Sequence, residues 1–567
     1  MFSARRLPGP NLYSTHPGAV LEVLIEPAEA TARLAAWRAC VRLVLDRLGW
    51  DTEHVAVREW PLGAGLFISC PLDGLLAGTE VLEQAWAFSE PSSGPEDDAA
   101  GFEDALARLR VHVQHERHRR LVALARAAAD RGFAFTFDDD AVAVGSGSGV
   151  ATWPFHALPD AGLVDWARVH DVPVALVTGS NGKTTTVRLL AAMLRAAGHT
   201  SGHTCTSGVY VGTTRVEEGD WSGPAGARRI LQDARVTAAV LETARGGILR
   251  RGLATTVADV AVVTRIAADH FGEYGIHDIM GLAEAKLVVA RPLRAGAPLV
   301  LNADDPVLVA CVERGLVPHQ GPITWTSLDG DSPVVARHLA QGGHACLFAD
   351  GTIAMHRGSG RIPVIAVADV PITLGGAARH NIANAVAATA AAFGLGLPLE
   401  AIRAALASFG TAVTDNPGRL HVFAWRGATV VVDFVHNPDG WRAILEALAP
   451  RRTGRLIVTL GQAGDRDDDA MRALASAVVA GRPDVVVLKE MPHYLRGREP
   501  GEAVHVLEDA LHALGVPATA LRHADGDAAA ARVALAEAAP GDLVILATHD
   551  AYDDVMGLLA GAVPPAA

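Results

Sequence analysis

The fold is decided by one stretch of sequence, Val174-Ala-Leu-Val-Thr-Gly-Ser-Asn-Gly-Lys-Thr-Thr-Thr-Val-Arg-Leu-Leu190. An apolar run with β-branched residues passes through a glycine-containing loop into an amphipathic pattern, which predicts a strand, a tight turn and a helix. Gly179 and Gly182 allow the backbone to approach an anion closely, and the amide groups at the helix start attract negative charge. The sequence therefore predicts a phosphate-binding loop.

The loop carries the residue types that nucleotide binding needs, although its spacing is unusual. In the pattern Gly-x-x-Gly-Lys-Thr the first glycine, Gly179, comes later than in the standard Gly-x-x-x-x-Gly-Lys loop. Lys183 can pair with β and γ phosphate oxygens, and Thr184 can hold Mg²⁺. The other predicted nucleotide-binding residues of the loop are Gly179, Ser180, Asn181, Gly182 and Thr185. An ordinary glycine-rich turn is the alternative, and the apolar strand and helix patterns on either side favour the phosphate loop.

Composition and charge limit the class of protein. The chain has 567 residues, so about three or four domains of ~150 residues are expected. Its net charge of -14 argues against nucleic acid as the main ligand, because duplex binding needs a concentrated basic surface. No apolar run is long enough to span a membrane, and residues 1–11 lack the apolar core of a signal peptide, which predicts a cytoplasmic protein without membrane contact. The five cysteines are widely separated and indicate neither a zinc site nor disulfides.

The first region, residues 1–160, mixes strand-like pieces with long helical patterns. The strand-like pieces include 20–25 and 141–144, and the helical patterns run over 28–48 and 101–131. This mixture predicts an N-terminal α+β domain.

Two further regions, 161–396 and 397–567, both alternate apolar runs with helices. Runs of this kind are typical of parallel strands buried on both faces. They lie at 174–178, 238–241, 260–263 and 299–302, and again at 429–434, 456–460, 485–488 and 543–547. We therefore predict an α/β protein with a central ATPase domain of the P-loop type and a C-terminal Rossmann-like domain.

Polar residues end two of the central strands. Glu242 closes one run, and the next run leads to Asp269 and His270. Ligands of doubly wound sheets bind at the carboxyl ends of strands. A carboxylate beside Thr184 suits Mg²⁺, which favours one or two carboxylates together with phosphate and water. We predict Thr184, Glu242 and His270 as metal ligands, with a satisfied structural polar residue as the alternative for His270.

The order of these motifs resembles the Mur ligase superfamily. The segments that carry the resemblance are Ala283-Glu-Ala-Lys286, Leu301-Asn-Ala-Asp-Asp-Pro306, His380-Asn-Ile-Ala-Asn384, Asp415-Asn-Pro-Gly-Arg419, Asp433-Phe-Val-His-Asn-Pro438 and Gly464-Asp-Arg466. Within the superfamily the chain is most similar to the ligase part of the cyanophycin synthetases, on Leu241-Glu-Thr-Ala-Arg-Gly-Gly-Ile-Leu-Arg250 and Leu495-Arg-Gly-Arg498, and its opening resembles the same group. It departs by lacking their ATP-grasp domain and by having Arg265 where an asparagine is usual.

The resemblance implies roles for individual residues. Lys183, Glu242, His270 and Lys286 form the implied catalytic set, and Lys286 falls where many of these ligases carry a carbamylated lysine; a helix-surface lysine is the alternative. Asn381 and Asn384 are the implied adenine contacts. Arg419 and Asp433 are implied to reach phosphate and ribose when the domains close. In the loop 489–498, Arg496 or Arg498 is expected to bind the α-carboxylate of an amine substrate and Glu490 a cationic side chain, with a solvated turn as the alternative.

The function that these features predict is an ATP- and Mg²⁺-dependent ligase that forms an amide through an acyl phosphate. It would join an amino-acid amine to a carboxylate of an acidic amino acid or an aspartate-containing peptide. A non-catalytic ATP-binding subunit of a separate ATP-grasp ligase and a stem-peptide or folate-type ligase are the alternatives. The expected partners are small amino acids or peptides, and the sequence leaves a homo-oligomer and a separate ATP-grasp partner open.

Overall fold

The protein is represented by a computed structural model, and the structure describes residues 3–90, 94–268 and 271–560. The chain forms two compact units. The first contains Met1–Leu347, Ala354–Pro363 and Val386–Ala404, and the second contains Phe348–Ile353, Val364–Ala385 and Ala405–Ala567. No helix in the described part of the chain is both long and apolar enough to cross a membrane.

The first unit begins with small antiparallel sheets. The elements are β1 (Ser3–Leu7), β2 (Gly18–Leu24), α1 (Pro27–Leu48), β3 (Val55–Trp60), β4 (Gly63–Ser69), α2 (Leu75–Ala87), α3 (Ala99–Glu116), α4 (Arg119–Ala129), β5 (Phe135–Phe137), β6 (Ala141–Val144) and β7 (Ala151–Pro154). Strands β1 to β4 pair in the order β1-β2-β4-β3, and β5 to β7 form a three-stranded sheet. Trp37 of α1 is fully buried in the apolar core between the first sheet and its helices, so this part of the unit has a core of its own.

A large sheet of mainly parallel strands follows. Its elements are β8 (Val174–Thr178), α5 (Lys183–Ala196), β9 (Ser201–Cys205), β10 (Gly208–Val211), β11 (Thr214–Glu217), α6 (Pro224–Leu231), β12 (Ala238–Glu242), α7 (Arg245–Arg251), β13 (Val260–Val263), α8 (Ile279–Leu287), β14 (Leu299–Asn302), α9 (Pro306–Glu313), β15 (Ile323–Ser327), α10 (Pro333–Ala340) and β16 (His344–Ala349). Nine of its strands lie in the order β11-β10-β9-β12-β8-β13-β14-β15-β16. Strand β8 lies between β12 and β13 and is parallel to both, so the carboxyl ends of these three strands share one edge.

The chain then continues through β17 (Thr352–Arg357), β18 (Gly360–Ala366), α11 (Arg379–Gly394) and α12 (Leu399–Ser408). The second unit is built on the elements β19 (His421–Trp425), β20 (Ala428–Asp433), α13 (Pro438–Leu448), β21 (Leu456–Leu460), α14 (Asp468–Val479), β22 (Val485–Glu490), α15 (Glu502–Ala513), β23 (Leu521–Asp525), α16 (Asp527–Glu537), β24 (Leu543–Ala547) and α17 (Tyr552–Leu558). Its strand order is β19-β20-β24-β21-β22-β23, with only β19 antiparallel to its neighbour. Apolar side chains cover both faces of this sheet, which makes it a doubly wound layer.

The predicted α/β class is confirmed, but one predicted helix is wrong. The pattern over 101–131 is interrupted at Arg117, between α3 and α4. The carboxylate of Glu116 accepts the amide hydrogens of Leu76 and Ala77 at the start of α2, and Asp73 accepts the amide hydrogen of His118 at 2.8 Å. These partners lie about forty residues away in sequence, so local periodicity does not reveal the break. The boundaries predicted at 160 and 396 stay predictions.

Candidate nucleotide and ligase site

The predicted phosphate loop joins β8 to α5, and its backbone needs glycine. Gly179 has φ +149°, and a Cβ atom there would lie 2.0 Å from Oγ1 of Thr264. Gly182 has φ 86° at the start of α5. The loop is fastened to the segment after β13, because the Ser180 amide donates to the carbonyl of Arg265 at 2.7 Å and the Ser180 hydroxyl donates to the carbonyl of Ala267 at 2.9 Å. The amide groups at the head of α5 are therefore held in a fixed cradle.

Two lysine ammonium groups meet on one carbonyl oxygen of this loop. Nζ of Lys183 donates to the carbonyl of Gly179 at 3.0 Å, and Nζ of Lys286 donates to the same oxygen at 2.9 Å. Lys286 is 5% exposed, so it is not a helix-surface lysine. Two cations this close repel each other unless an anion lies beside them. Phosphate oxygens placed here would offset this repulsion, as would conversion of one lysine to an anionic carbamate.

Thr184 and Glu242 lie together beside the loop. Oγ1 of Thr184 donates to Oε2 of Glu242 at 2.8 Å, and both residues are buried. The contact forms because β12 and β8 are parallel neighbours in which Glu242 pairs with Val177, so the carboxylate ends its strand next to the loop. A hydroxyl and a carboxylate at the head of a phosphate-loop helix are hard oxygen donors, which fit Mg²⁺.

The third predicted metal ligand, His270, lies outside the described residues, as does Asp269. Within the part of the chain that the structure describes, no three histidine, cysteine, aspartate or glutamate side chains form a metal-binding group. Asp305, in the segment Leu301-Asn-Ala-Asp-Asp-Pro306, supports the chain just after β13. Its carboxylate accepts the amide hydrogen of Ile266 at 2.6 Å and caps α9 through the amide of Val307 at 2.9 Å. An aspartate before a helix-starting proline is a capping signal that could have identified it.

Asn381 and Asn384 lie in the second unit, and both are buried. Nδ2 of Asn381 donates to the carbonyl of Ile372 at 2.8 Å, and Nδ2 of Asn384 donates to Oδ1 of Asn381 at 3.1 Å. Their amides therefore order the start of α11, and their predicted contact with adenine stays a prediction.

Arg419 and Asp433 also lie close together in the second unit. The Arg419 guanidinium is 4.6 Å from the centre of the Phe434 ring, and Oδ2 of Asp433 accepts the amide hydrogen of Leu420 at 2.7 Å. Burial raises the pKa of Asp433 to about 6, although Arg419 and the backbone amides of Leu420 and Val435 act in the opposite direction. The carboxyl group is thus held in a place that disfavours its charge.

In the loop 489–498 the two arginines predicted to bind the amine substrate have different surroundings. Arg498 donates to the carbonyls of Gly464 and Arg466 and to the carboxylates of Asp468 and Glu502, at 2.7 to 3.1 Å. The Arg498 guanidinium therefore stabilises the conformation of the loop. Arg496 differs, because its side chain is 46% exposed and its contacts are an ion pair with Asp465 and a cation–π contact with Tyr494.

The third substrate candidate, Glu490, is also engaged within its own loop. Its two carboxylate oxygens accept the amide hydrogens of Met491 and Gly501. Arg496 is therefore the residue of the three that remains most accessible to a substrate.

Sequence reasoning missed a buried ionic cluster at the carboxyl end of β22. Lys489 is 1% exposed and forms an ion pair with Asp527, and its ammonium lies 3.0 Å from Nδ1 of His549. The other oxygen of Asp527 accepts the amide hydrogens of His549, Asp550 and Ala551 at 2.6 to 3.1 Å. The cluster fixes the loop after β24. Sequence gives one signal for it, a charged residue directly after an apolar strand.

Comparison with protein families identifies the two main parts of this architecture. Residues 177–392 match the model of the Mur ligase middle domain, and residues 418–548 match the Mur ligase glutamate ligase domain. The chain belongs to the Mur ligase family. The middle-domain match contains the phosphate loop with Lys183 and Glu242, and the glutamate ligase match contains Arg419, Asp433 and the loop 489–498.

Individual relatives of this Mur ligase differ in how much of their length it covers. Cyanophycin synthetase of Crocosphaera subtropica is 39% identical over 340 residues, which are 60% of this chain and 38% of that protein. The chain thus spans less than two fifths of the cyanophycin synthetases that it matches. The UDP-N-acetylmuramoyl-L-alanyl-D-glutamate–2,6-diaminopimelate ligase of Synechococcus elongatus is 30% identical over 391 residues, 66% of this chain and 71% of that protein.

A solved structure shows the same fold. The Escherichia coli FolC protein, determined in complex with ADP and without folate substrate, superposes with a TM-score of 0.51 at 21% identity. The match covers 69% of this chain and 89% of FolC. The predicted Mur ligase fold, with its middle and C-terminal domains, is confirmed.

The buried carboxyl group of Asp433 leads to a pH-dependent prediction. Its pKa is about 6 in the folded protein and 3.8 in an ordinary setting. The folded state therefore holds this proton more tightly than the unfolded state, and the stability that protonation contributes is lost as the pH rises from about 4 through 6. We expect Asp433→Asn to match the wild type near pH 4 and to be more stable at pH 8, by at most about 3 kcal/mol for two pKa units.

The measurement is urea denaturation of both proteins at pH 4, 6 and 8. Asp525→Asn is the matched control, because Asp525 lies exposed at the end of β23. A wild type that is more stable than Asp433→Asn at pH 8 would contradict the prediction.

Proposed function

We propose that this chain is an ATP-dependent amide ligase that joins an amino-acid amine to the carboxylate of an acidic amino acid or an aspartate-containing peptide through an acyl phosphate. The observation that carries the proposal is the pairing of Thr184 with Glu242 beside two lysines on the Gly179 carbonyl. The names of the relatives, which include cyanophycin synthetase and a peptidoglycan-precursor ligase, support the substrate class.

The chemistry of amide formation explains why such a site is needed. A free carboxylate is a poor electrophile, and an ammonium group is not a nucleophile, so direct condensation does not proceed at neutral pH. Transfer of the γ-phosphoryl group to the carboxylate makes an acyl phosphate with a good leaving group. The amine then attacks the acyl carbon, and the tetrahedral intermediate expels phosphate.

The residues of the loop can stabilise the first of these steps. Negative charge builds on the transferred phosphoryl oxygens, and the ammonium of Lys183 with the amides at the head of α5 are positioned to stabilise it. Thr184 and Glu242 would hold Mg²⁺, which when bound neutralises charge on the triphosphate. Because the amides and the lysines are fixed before ATP arrives, little reorganisation accompanies the reaction.

The geometry favours a catalyst over a non-catalytic ATP-binding subunit. A protein that only binds nucleotide has no need for a second buried lysine on the Gly179 carbonyl, because Lys183 already supplies the cation for the phosphates. Lys286 costs desolvation energy where it lies. Its placement is explained if its charge, or the charge of its carbamate, acts during phosphoryl transfer.

The first test removes the loop lysine. Lys183→Ala should lower ADP formation at least about 10²-fold, the typical loss when one preorganised electrostatic group is removed. The measurement is ADP release with Mg-ATP and a panel of amino acids and aspartate dipeptides, and the panel also identifies the substrates. The unfolding midpoint should change little, because the Lys183 ammonium donates to the carbonyls of Gly179 and Ser180 in its own loop. Near-wild-type turnover in folded Lys183→Ala would refute the phosphate-loop role.

A second test concerns the chemical state of Lys286. If Lys286 is a carbamate, Lys286→Ala should be inactive and partly rescued by acetate, because only the missing anion needs replacement. The chain has only three lysines, Lys183, Lys286 and Lys489, so a ¹³C carbamate resonance in protein kept with ¹³C-bicarbonate is readily assigned. The signal should vanish in Lys286→Arg. A wild type that is active without this resonance would show that the ammonium itself is the working form.

The third test concerns the amine substrate. Arg496→Ala should raise the KM for the amine about 10-fold or more, the ~1.5 to 3 kcal/mol of a charged hydrogen bond, while the KM for ATP stays nearly unchanged. Arg498→Ala should instead lower the unfolding midpoint, because four loop contacts are lost. Arg472→Ala, which removes an exposed arginine of α14, is the control. An unchanged amine KM in Arg496→Ala would exclude this residue from amine recognition.

A further inference from the structure

The N-terminal sheet has no part in the chemistry above, yet its edge strand contacts the elements that lead to Lys286. Arg58 of β3 donates through Nη1 to the carbonyl of Gly275 at 3.1 Å and through Nη2 to Oε2 of Glu284 at 2.8 Å. Gly275 lies in the segment before α8, and Glu284 lies on α8. One guanidinium therefore ties both the loop and the helix to the N-terminal sheet.

The fit between Arg58 and α8 depends on a glycine. A Cβ atom on Gly281 would lie 2.9 Å from Nη2 of Arg58, which is too close. The first turn of α8 is also capped by Asp278, whose carboxylate accepts the Gly281 amide hydrogen at 2.7 Å. The arginine thus packs into a place where the helix has no side chain, and it reaches the Glu284 carboxylate one turn farther along.

Three contacts that involve aromatic rings hold the same loop. A Cβ atom on Gly275 would lie 2.5 Å from the ring of Trp60, at the end of β3, and the rings of Trp60 and His277 are 5.8 Å apart. The guanidinium of Arg5, in β1, lies 4.6 Å from the centre of the Tyr274 ring. Residues 274, 275 and 277 are therefore each covered by a side chain of the N-terminal sheet.

The backbone of this loop is one that needs external support. Tyr274 has φ 54° and Gly275 has φ 70°, so two consecutive residues are left-handed. A left-handed conformation costs a residue such as tyrosine about 1 kcal/mol or more, and it persists only where the surroundings determine it. The contacts from Arg5, Arg58 and Trp60 hold the loop in this conformation.

We propose that the N-terminal domain is a positioning element of the nucleotide site, and that Arg58 is its principal residue. Arg58 fixes α8 through Glu284, and α8 carries Lys286 to the carbonyl of Gly179. A shift of α8 moves the Lys286 ammonium relative to the phosphate loop, and displacements of about 1 Å at such sites cost up to 10²-fold in rate. The proposal rests on the proposed function only in assigning Lys286 to the nucleotide phosphates.

The test compares Arg58→Met with Arg47→Met in the full chain. Arg47 lies on α1 of the same domain and forms an exposed ion pair with Glu103 at 3.1 Å, so its loss is a matched control. The readouts are the affinity for N-methylanthraniloyl-ATP as a function of MgCl₂ concentration, the kcat for ADP formation and the unfolding midpoint. We expect Arg58→Met to weaken nucleotide binding or lower kcat about 10-fold, while Arg47→Met changes neither.

A second variant, Glu284→Gln, approaches the same contact from α8. It should reproduce part of the Arg58→Met effect, and the double variant should be no worse than Arg58→Met alone, since both changes break one link. If Arg58→Met does not fold, the proposal is tested with Glu284→Gln alone, by the same measurements of nucleotide affinity and kcat. Affinity, kcat and Mg²⁺ dependence within twofold of wild type in the folded variants would overturn the proposal.

The two readouts keep this proposal separate from the proposed function. A wild type that binds the nucleotide analogue without forming ADP overturns the ligase assignment, while the binding comparison still decides the role of Arg58. A wild type that does not bind the analogue overturns both.

Discussion

The carbonyl oxygen of Gly179 is the point on which the candidate site depends. Lys183 approaches it from within the loop and Lys286 from α8, so one uncharged acceptor holds two cations. An anion beside the two ammonium groups offsets their mutual repulsion. The position also requires glycine, because a Cβ atom on Gly179, at φ +149°, would lie 2.0 Å from Oγ1 of Thr264.

The use of lysine in the chain follows the same logic. Of 49 basic residues only three are lysines, and Lys183, Lys286 and Lys489 each lie at the carboxyl end of a strand or on a helix that reaches one. The ion pairs found elsewhere in the described residues are formed by arginine or histidine. Arginine keeps its charge in any surrounding, whereas a buried lysine can lose its proton or react with carbon dioxide. Burial lowers the pKa of Lys489 despite its pairing with Asp527.

Part of this architecture was predictable because it is local. The runs at 174–178 and 260–263 become β8 and β13 with the predicted bounds, since a strand buried on both faces must be apolar throughout. Glu242 lies beside Thr184 because the carboxylate ends β12, and the loop that leads to Thr184 starts at the same edge, at the end of the parallel strand β8. The break after Glu116, the contact of Asp305 with the Ile266 amide and the Lys489–Asp527 pair were not predictable, because each depends on a partner that is distant in sequence or on a burial that only the folded chain defines.

Arg496 and Arg498 of the C-terminal domain show that residue type alone does not assign a function to a side chain. Arg496 and Arg498 are two positions apart, and either could pair with a carboxylate by its chemistry. In the structure Arg498 directs its guanidinium at two carbonyls and two carboxylates of its own domain, whereas Arg496 has a left-handed backbone, φ 43°, and an exposed side chain. Arg498 therefore holds the loop in place, while Arg496 presents an accessible cation on a strained backbone. Loss of the first side chain removes loop contacts, and loss of the second removes an exposed charge.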